Sequence, residues 1–124
     1  ARAGKTWADV DFMELNEAFA SQSLACLALW PELDPEKVNI HGGAIAMGHP
    51  LGASGARIIG HAAHELKRRG KGVAVVAICI GVGQGLAVVL LKDAPFVITS
   101  PNSRPSVPMY LDLQHKIYLI CKAK

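Results

Sequence analysis

Two glycine-rich segments of this 124-residue sequence each carry one side chain that can take part in acid–base or nucleophilic chemistry. His49 opens the first, His-Pro-Leu-Gly-Ala-Ser-Gly, and Cys79 opens the second, Cys-Ile-Gly-Val-Gly-Gln-Gly. A histidine and a cysteine are a natural pair for thiolate and proton-transfer chemistry. Taken singly, His49 could be a turn histidine and Cys79 a buried apolar residue. The pair gains weight from a third segment upstream, Asn-Glu-Ala-Phe-Ala, which begins at Asn16.

Together the three segments resemble the motifs of one enzyme family. Asn-Glu-Ala-Phe, Gly-His-Pro and Cys-x-Gly-x-Gly occur in the order that they have in the C-terminal half of thiolases, the acetyl-CoA or acyl-CoA C-acyltransferases. The resemblance implies an α/β fold, the C-terminal half of a thiolase-type layered structure with a five-stranded mixed sheet. By this resemblance we expect the first strand of that sheet to be missing, because the sequence begins where that strand would have ended. Residues 1–93 would form this N-terminally incomplete domain, and residues 94–124 a Pro-rich tail that does not resemble the family.

The resemblance also implies a role for five residues. Asn16 would hold a catalytic water, His49 would donate to the enolate oxygen at the acyl-transfer centre, and Cys79 would be the acid/base at the α-carbon. The backbone amide of Gly81 would donate to the tetrahedral intermediate, and Phe19 would border the pantetheine channel. Considered alone, Asn16 could be a helix N-cap and Phe19 a core residue. The implied reaction forms or cleaves a β-ketoacyl-CoA, with acyl-CoA and CoA as partners and no metal or further cofactor.

Two departures from the family limit what this chain can do. The acyl-accepting cysteine of thiolases lies in the N-terminal half, and neither Cys26, in an apolar run, nor Cys121, in the tail, can be assigned to it. We therefore expect the isolated chain to be inactive. Val82 stands where many thiolases have a third glycine of the turn. Because a β-branched residue is costly at positive φ, we expect Val82 to adopt an ordinary conformation.

The pattern of apolar residues predicts the elements that position these motifs. Strands are expected at residues 11–15, 37–41, 72–78 and 86–91, and helices at residues 17–30 and 52–69, with Gly70 just beyond the second helix. The connection between the last two strands is too short for a crossover, so they should be antiparallel. The resemblance implies that the missing strand would leave a gap between the first pair and the last pair. Residues 109–120 could form a late strand or a docking segment.

Composition excludes several other classes of protein. The 13 Lys and Arg only slightly exceed the 10 Asp and Glu, and the basic cluster around Lys67 falls at a helix end, so nucleic acid is not an expected partner. No run reaches the roughly 18 apolar residues of a membrane span. Three cysteines without metal spacing suggest reduced thiols in an intracellular setting: the cytoplasm or, in a eukaryote, the mitochondrion or peroxisome.

Three functions fit these observations. The first is part of a thiolase, which in the complete family is a homo-oligomer. The second is a non-catalytic fragment or interaction module that keeps the thiolase fold without turnover. The third is a different condensing enzyme of the same broad fold, and the pairing of His49 with Cys79 in two glycine turns favours thiolase over it.

Overall fold

The computed structural model describes residues 3–93 and the backbone of one further strand at Lys116–Lys122. In chain order the strands are β1 (Phe12–Leu15), β2 (Gly72–Gly81), β3 (Gln84–Lys92) and β4 (Lys116–Lys122). The α-helices are α1 (Ala20–Ala28), α2 (Ala44–Met47) and α3 (Leu51–Arg69), and short 3₁₀ helices occur at Trp7–Asp9 and Pro35–Lys37. The layered α/β fold expected from the sequence is confirmed. Both predicted helices are present: α1 is shorter than expected, and α3 has nearly the expected bounds.

The four strands form one mixed sheet in the order β1-β2-β3-β4. β1 runs parallel to β2, with Phe12 beside Ala74, whereas β2 and β3 form an antiparallel hairpin. β1 and β2 are direct neighbours, so the prediction of a gap between them is wrong. β4 pairs antiparallel with β3, from Gly85 beside Lys122 to Leu91 beside Lys116. The remainder of the predicted late segment, residues 109–115, lies outside the described residues.

The prediction of a strand at residues 37–41 is also wrong. Pro35–Lys37 forms a 3₁₀ helix, and a single isolated bridge joins Val38 to Met13. Asn39 then adopts a φ of 50°, in the left-handed region, which turns the main chain away from β1. An apolar pattern alone does not reveal this turn, because asparagine is one of the few residues that tolerate such a φ.

The main core lies between α3 and one face of the sheet. Small and apolar residues on one side of α3 meet alternate residues of the strands; this cluster comprises Phe12, Ile58, Ala62, Leu66, Ala74, Val76, Val88 and Leu90. Burying a side chain such as Leu66 completely contributes about 2 kcal/mol. The helix ends at Gly70, whose φ of 82° suits only glycine well. α3 is thereby held with its N-terminus at the carboxyl end of β1.

The basic cluster at the end of α3 forms ion pairs with one buried carboxylate. Arg68 Nη2 lies 2.7 Å from Glu65 Oε1, and Arg69 Nε lies 2.6 Å from the same atom. The Glu65 side chain is only 4% exposed. Hydrogen bonds from Arg68 and Arg69 lower the pKa of Glu65 to about 2. The cluster therefore stabilises the end of the helix, as the sequence predicts.

The opposite face of the sheet is covered less completely. Met13, Leu15 and Leu33 form its buried centre, with Trp7 and Trp30 packed against them. None of the residues of α1 is buried. No helix within the described residues is both long and apolar enough to cross a membrane.

Candidate functional site

The carboxyl end of β1 presents a buried asparagine to the start of α3. Asn16 directly follows β1, is 1% exposed, and continues the parallel pairing by donating its backbone N–H to Ala77 at 2.8 Å. It is not the N-cap of α1, because Phe19 occupies that position. The Asn16 backbone is therefore held by the sheet, and its side chain does not cap the following helix.

His49 reaches Asn16 from the loop before α3. Its Nε2 lies 3.2 Å from Nδ2 of Asn16, and its Nδ1 lies 2.6 Å from Oγ of Ser54. The loop turns at Gly48, whose φ of 89° favours glycine, and Arg57 Nη1 donates to the Gly48 carbonyl at 2.9 Å. Two side chains that are 33 residues apart in sequence are thus joined in one hydrogen-bonded pair.

A small cavity opens beside this pair. Its volume is about 130 Å³, and Asn16, Asn39, Arg57 and His61 are among its lining residues. The Oδ1 atom of Asn16 is buried and has no hydrogen-bond partner within the described residues. An unpaired acceptor beside a cavity of this size is a suitable place for a bound water.

Cys79 and Gly81 lie at the far end of β2. Both are exposed, and the Cys79 thiol makes no hydrogen bond to another described residue. By strand alternation Cys79 shares a face with Ala77, the face away from α3. The structure therefore joins Asn16 to His49 on the α3 side of the sheet. It places Cys79 at the same end of the sheet but, by this alternation, on the opposite face. Gly81 has a φ of 129°, where glycine is favoured.

The prediction for Val82 is wrong. Its φ is 45°, in the left-handed region, and its side chain is 94% exposed. A β-branched residue there is strained. The turn between β2 and β3 requires this backbone, because the register of the hairpin shifts between Cys79 and Gly81 and only two residues, Val82 and Gly83, connect the strands.

Large apolar side chains surround this end of the molecule. Phe19 is 72% exposed, at the residue before α1. Further exposed apolar residues come from α2, the first residue of α3 and the β2–β3 hairpin: Ile45, Met47, Leu51, Ile80 and Val82. We refer to these six residues as the apolar rim.

Sequence analysis missed a carboxylate that holds the site together. Glu17 accepts from Asn39 Nδ2 at 3.0 Å and from the Ile45 backbone N–H at 2.8 Å. Gly43 lies so close that a Cβ atom there would overlap the Glu17 carboxylate. Glu17 thereby ties the start of α2 to the end of β1. Its place within the Asn-Glu-Ala-Phe motif was the one available signal.

A chain of titratable groups runs along the other side of the cavity. His61 Nδ1 lies 3.0 Å from Oε1 of the buried Glu14, and His41 Nδ1 lies 3.0 Å from His61 Nε2. Burial raises the pKa of Glu14, and the nearby His61, His41 and Arg57 oppose that rise. His61 thus has a hydrogen-bonding role, with partners from β1 and from the loop before α2. No group of three or more His, Cys, Asp or Glu in the described part of the chain is arranged to hold a metal ion.

Comparison with known proteins assigns this arrangement to a family. Residues 1–92 match the family model described as "Thiolase, C-terminal domain". The chain belongs to the thiolase family. The match includes all three motifs of this thiolase domain and ends before β4.

Relatives of this thiolase domain include mitochondrial enzymes. The 3-ketoacyl-CoA thiolase of human mitochondria is 53% identical over 93 residues, which are 75% of this chain and 23% of that protein. The mouse mitochondrial protein of the same name is 50% identical over the same share. The crystal structure of the human enzyme has a TM-score of 0.69 and covers 73% of this chain, and a second structure of it is in complex with CoA. The thiolase domain thus spans less than a quarter of these relatives.

Proposed function

We propose that this chain is the C-terminal part of an acyl-CoA C-acyltransferase that forms or cleaves β-ketoacyl-CoA by Claisen-type thioester chemistry. The contact between Asn16 and His49 carries the proposal, because it joins two of the three motifs at one end of the sheet. The names of the relatives, 3-ketoacyl-CoA thiolases, support the same activity. The substrates are CoA thioesters and CoA, and the reaction needs no further cofactor.

Each residue of the site has a task in that reaction. Condensation removes a proton from the α-carbon of one acyl-CoA and places negative charge on the thioester oxygen. We assign the proton transfer to Cys79 and the stabilisation of the charge to His49 and a water bound by Asn16. The unpaired Oδ1 of Asn16 beside the cavity supports a water there, within the part of the chain that is described.

The backbone and the apolar rim complete the assignment. The Gly81 N–H donates to the tetrahedral intermediate, and the missing side chain allows the substrate to approach it closely. Phe19 borders the channel for the pantetheine arm, in keeping with its exposed ring. The apolar rim leaves six large apolar side chains exposed, so we assign it to contact with the remainder of the enzyme and its substrate.

The nucleophile comes from outside these residues. Cys26 is half-buried on α1 and accepts a weak hydrogen bond from Gln22 at 3.7 Å, away from His49, and Cys121 belongs to the tail. Without a nucleophile the acyl group has no covalent carrier, so the 124-residue chain alone is inactive. In the complete enzyme we propose a homo-oligomer, located in the mitochondrion like its relatives.

Complementation tests the proposal. The chain is mixed with a separately produced remainder of the human relative, the whole part of that protein that this chain does not match. Thiolysis of acetoacetyl-CoA by CoA is followed by the loss of its absorbance. Activity should appear only in the mixture and should disappear with His49→Ala. His64→Ala, which changes an exposed histidine of α3, is the matched control and should retain activity. A stable complex without turnover would favour the non-catalytic interaction module instead.

A further inference from the structure

Ser54 is a buried hydroxyl that touches both His49 and the start of α3. It lies in the first turn of the helix and is 0% exposed. Its Oγ is 2.6 Å from Nδ1 of His49 and 3.1 Å from the carbonyl oxygen of Pro50. A hydroxyl has a single proton, so it donates to only one of these two acceptors.

The second ring nitrogen restricts the choice. Nε2 of His49 lies 3.2 Å from Nδ2 of Asn16, and an amide nitrogen only donates. Nε2 must therefore accept. A neutral imidazole that accepts at Nε2 carries its proton on Nδ1, which then donates to Ser54 Oγ. The Ser54 proton is left to donate to the Pro50 carbonyl, and all three donors are satisfied.

The reverse arrangement requires the opposite orientation of the Asn16 amide. If the Asn16 amide were flipped, His49 could donate from Nε2 to the Asn16 oxygen and accept from Ser54 at Nδ1. The amide nitrogen, with two hydrogens, would then occupy the buried position where the Asn16 oxygen now has no partner within the described residues. The orientation of the Asn16 amide therefore decides between the two tautomers, and in the structure its nitrogen faces Nε2 of His49.

We propose that Ser54 is a positioning residue that fixes the tautomer of His49, keeping the proton on Nδ1 and the lone pair on Nε2. The ring then faces Asn16 as a proton acceptor, and it becomes a donor at Nε2 only after taking up a proton. Donation to the enolate oxygen, assigned above to His49, thus requires the imidazolium form. This last step rests on the proposed function, whereas the tautomer is a property of the chain itself.

Nitrogen NMR of the full chain measures the tautomer directly. The chain is labelled with ¹⁵N at histidine, and the ring nitrogens are observed at a pH where the imidazole is neutral; His49→Gln assigns the signals. We expect the proton on Nδ1 in the unaltered chain, loss of that preference in Ser54→Ala, and its retention in Ser54→Thr, which keeps the hydroxyl. Ser23→Ala, which changes a serine of α1 whose hydroxyl has no partner within the described residues, should leave the His49 signals unchanged.

Two results would overturn the proposal. One is a proton on Nε2 of His49 in the unaltered chain, a measurement that does not depend on the folding of any variant. The other is a proton that stays on Nδ1 in a folded Ser54→Ala chain. In the complemented enzyme Ser54→Ala should lower kcat at least about tenfold with little change in KM, because a misplaced proton impairs acid–base catalysis and not substrate binding. A complemented enzyme without activity would count against the proposed function and leave the NMR result standing.

Discussion

The side-chain amide of Asn39 pairs with both backbone groups of Leu15. Its Oδ1 accepts from the Leu15 N–H at 2.9 Å, and its Nδ2 donates to the Leu15 carbonyl at 2.9 Å. The main chain at Asn39 has already turned away, with a φ of 50°. The side chain therefore takes the place of a neighbouring strand, and it does so at the residue immediately before Asn16.

Asn39→Asp should destabilise the chain by about 2 kcal/mol. The new carboxylate keeps the shape and tolerates the left-handed φ, but it replaces a donor by an oxygen that faces the Leu15 carbonyl and the Glu17 carboxylate. Urea unfolding measures the change. Asp34→Asn, the opposite exchange at an exposed cap of a 3₁₀ helix, is the control and should be nearly neutral. Equal stability of the two variants would show that the Asn39 amide makes no particular contribution to the free energy of unfolding.

Val82→Gly should stabilise the chain by about 1 kcal/mol, because glycine removes the strain of a β-branched residue at a φ of 45°. Ile80→Gly provides the comparison within the same hairpin. Ile80 is also exposed and β-branched, but it does not have a positive φ, so glycine there should destabilise. Thermal unfolding of both variants checks the pair. A loss of stability in Val82→Gly would contradict the inference that the Val82 backbone is strained.

The ion pairs of Glu65 should make the free energy of unfolding depend on pH in the acidic range. Its pKa falls from the ordinary value of 4.5 to about 2, so the folded state holds the carboxylate ionised where the unfolded state would protonate it. The resulting stability is fully present above about pH 4.5 and is lost as the pH falls towards 2. After screening by solvent at the exposed arginines, we expect about 1 kcal/mol. Glu65→Gln should flatten the curve in this window, whereas Glu32→Gln, at an exposed loop residue, should not.

Cys79→Ala in the complemented enzyme should abolish condensation and spare part of the acylation of the nucleophile. The reason is that Cys79 is assigned to proton transfer at the α-carbon and does not carry the acyl group. Mass spectrometry of the added remainder of the enzyme detects the acyl adduct, while product formation reports condensation. Cys26→Ala, at a half-buried thiol of α1, serves as the control. Condensation at the normal rate in Cys79→Ala would refute the assignment.

Removal of residues 94–124 should expose the edge of β3. In the full chain β4 pairs with β3 from Leu91 to Gly85, so the edge is occupied. Without it, the β3 amides that point towards β4 should exchange rapidly with deuterium, and the chain should self-associate through the free edge. The double variant Tyr118→Pro/Leu119→Pro removes two successive N–H groups from β4 and should act in the same direction at full length. Unchanged exchange in both proteins would show that β4 does not protect β3.

The fold was predictable where one local signal agreed with the long-range packing. α3 and its end at Gly70 follow from a small-residue amphipathic pattern and a glycine that can adopt a φ of 82°. The prediction of a strand at residues 37–41 was wrong because the Asn39 side chain, and not a paired main chain, bonds the backbone of Leu15. A pattern of apolar residues does not reveal such a side-chain contact. The predicted gap beside β1 was wrong for a different reason. It was inferred from the five-stranded sheet of the family, whereas in this chain β1 pairs directly with β2.

The candidate site was predictable only as a set of residue types. The motifs indicated Asn16 and His49, and the contact between them depends on the loop at Gly48 and on parallel pairing of β1 with β2. The supporting residues carried no signal of their own: a serine inside a helix or a glutamate beside a motif is usually unremarkable. Ser54 and Glu17 acquire their importance from the three-dimensional arrangement that brings each of them to a partner.

The pairing of β1 with β2 also determines when the site can form during folding. Asp11 and Val73, which join the start of this pairing, are separated by 62 residues, whereas β2 and β3 meet through a two-residue turn. Closing a long loop costs more entropy than closing a short one, and distant contacts tend to form late. The hairpin that contains Cys79 should therefore form before β1 pairs with β2. Asn16 would be among the last residues to reach its place, so the chain should pass through states that have the cysteine turn but lack the proposed water site at Asn16.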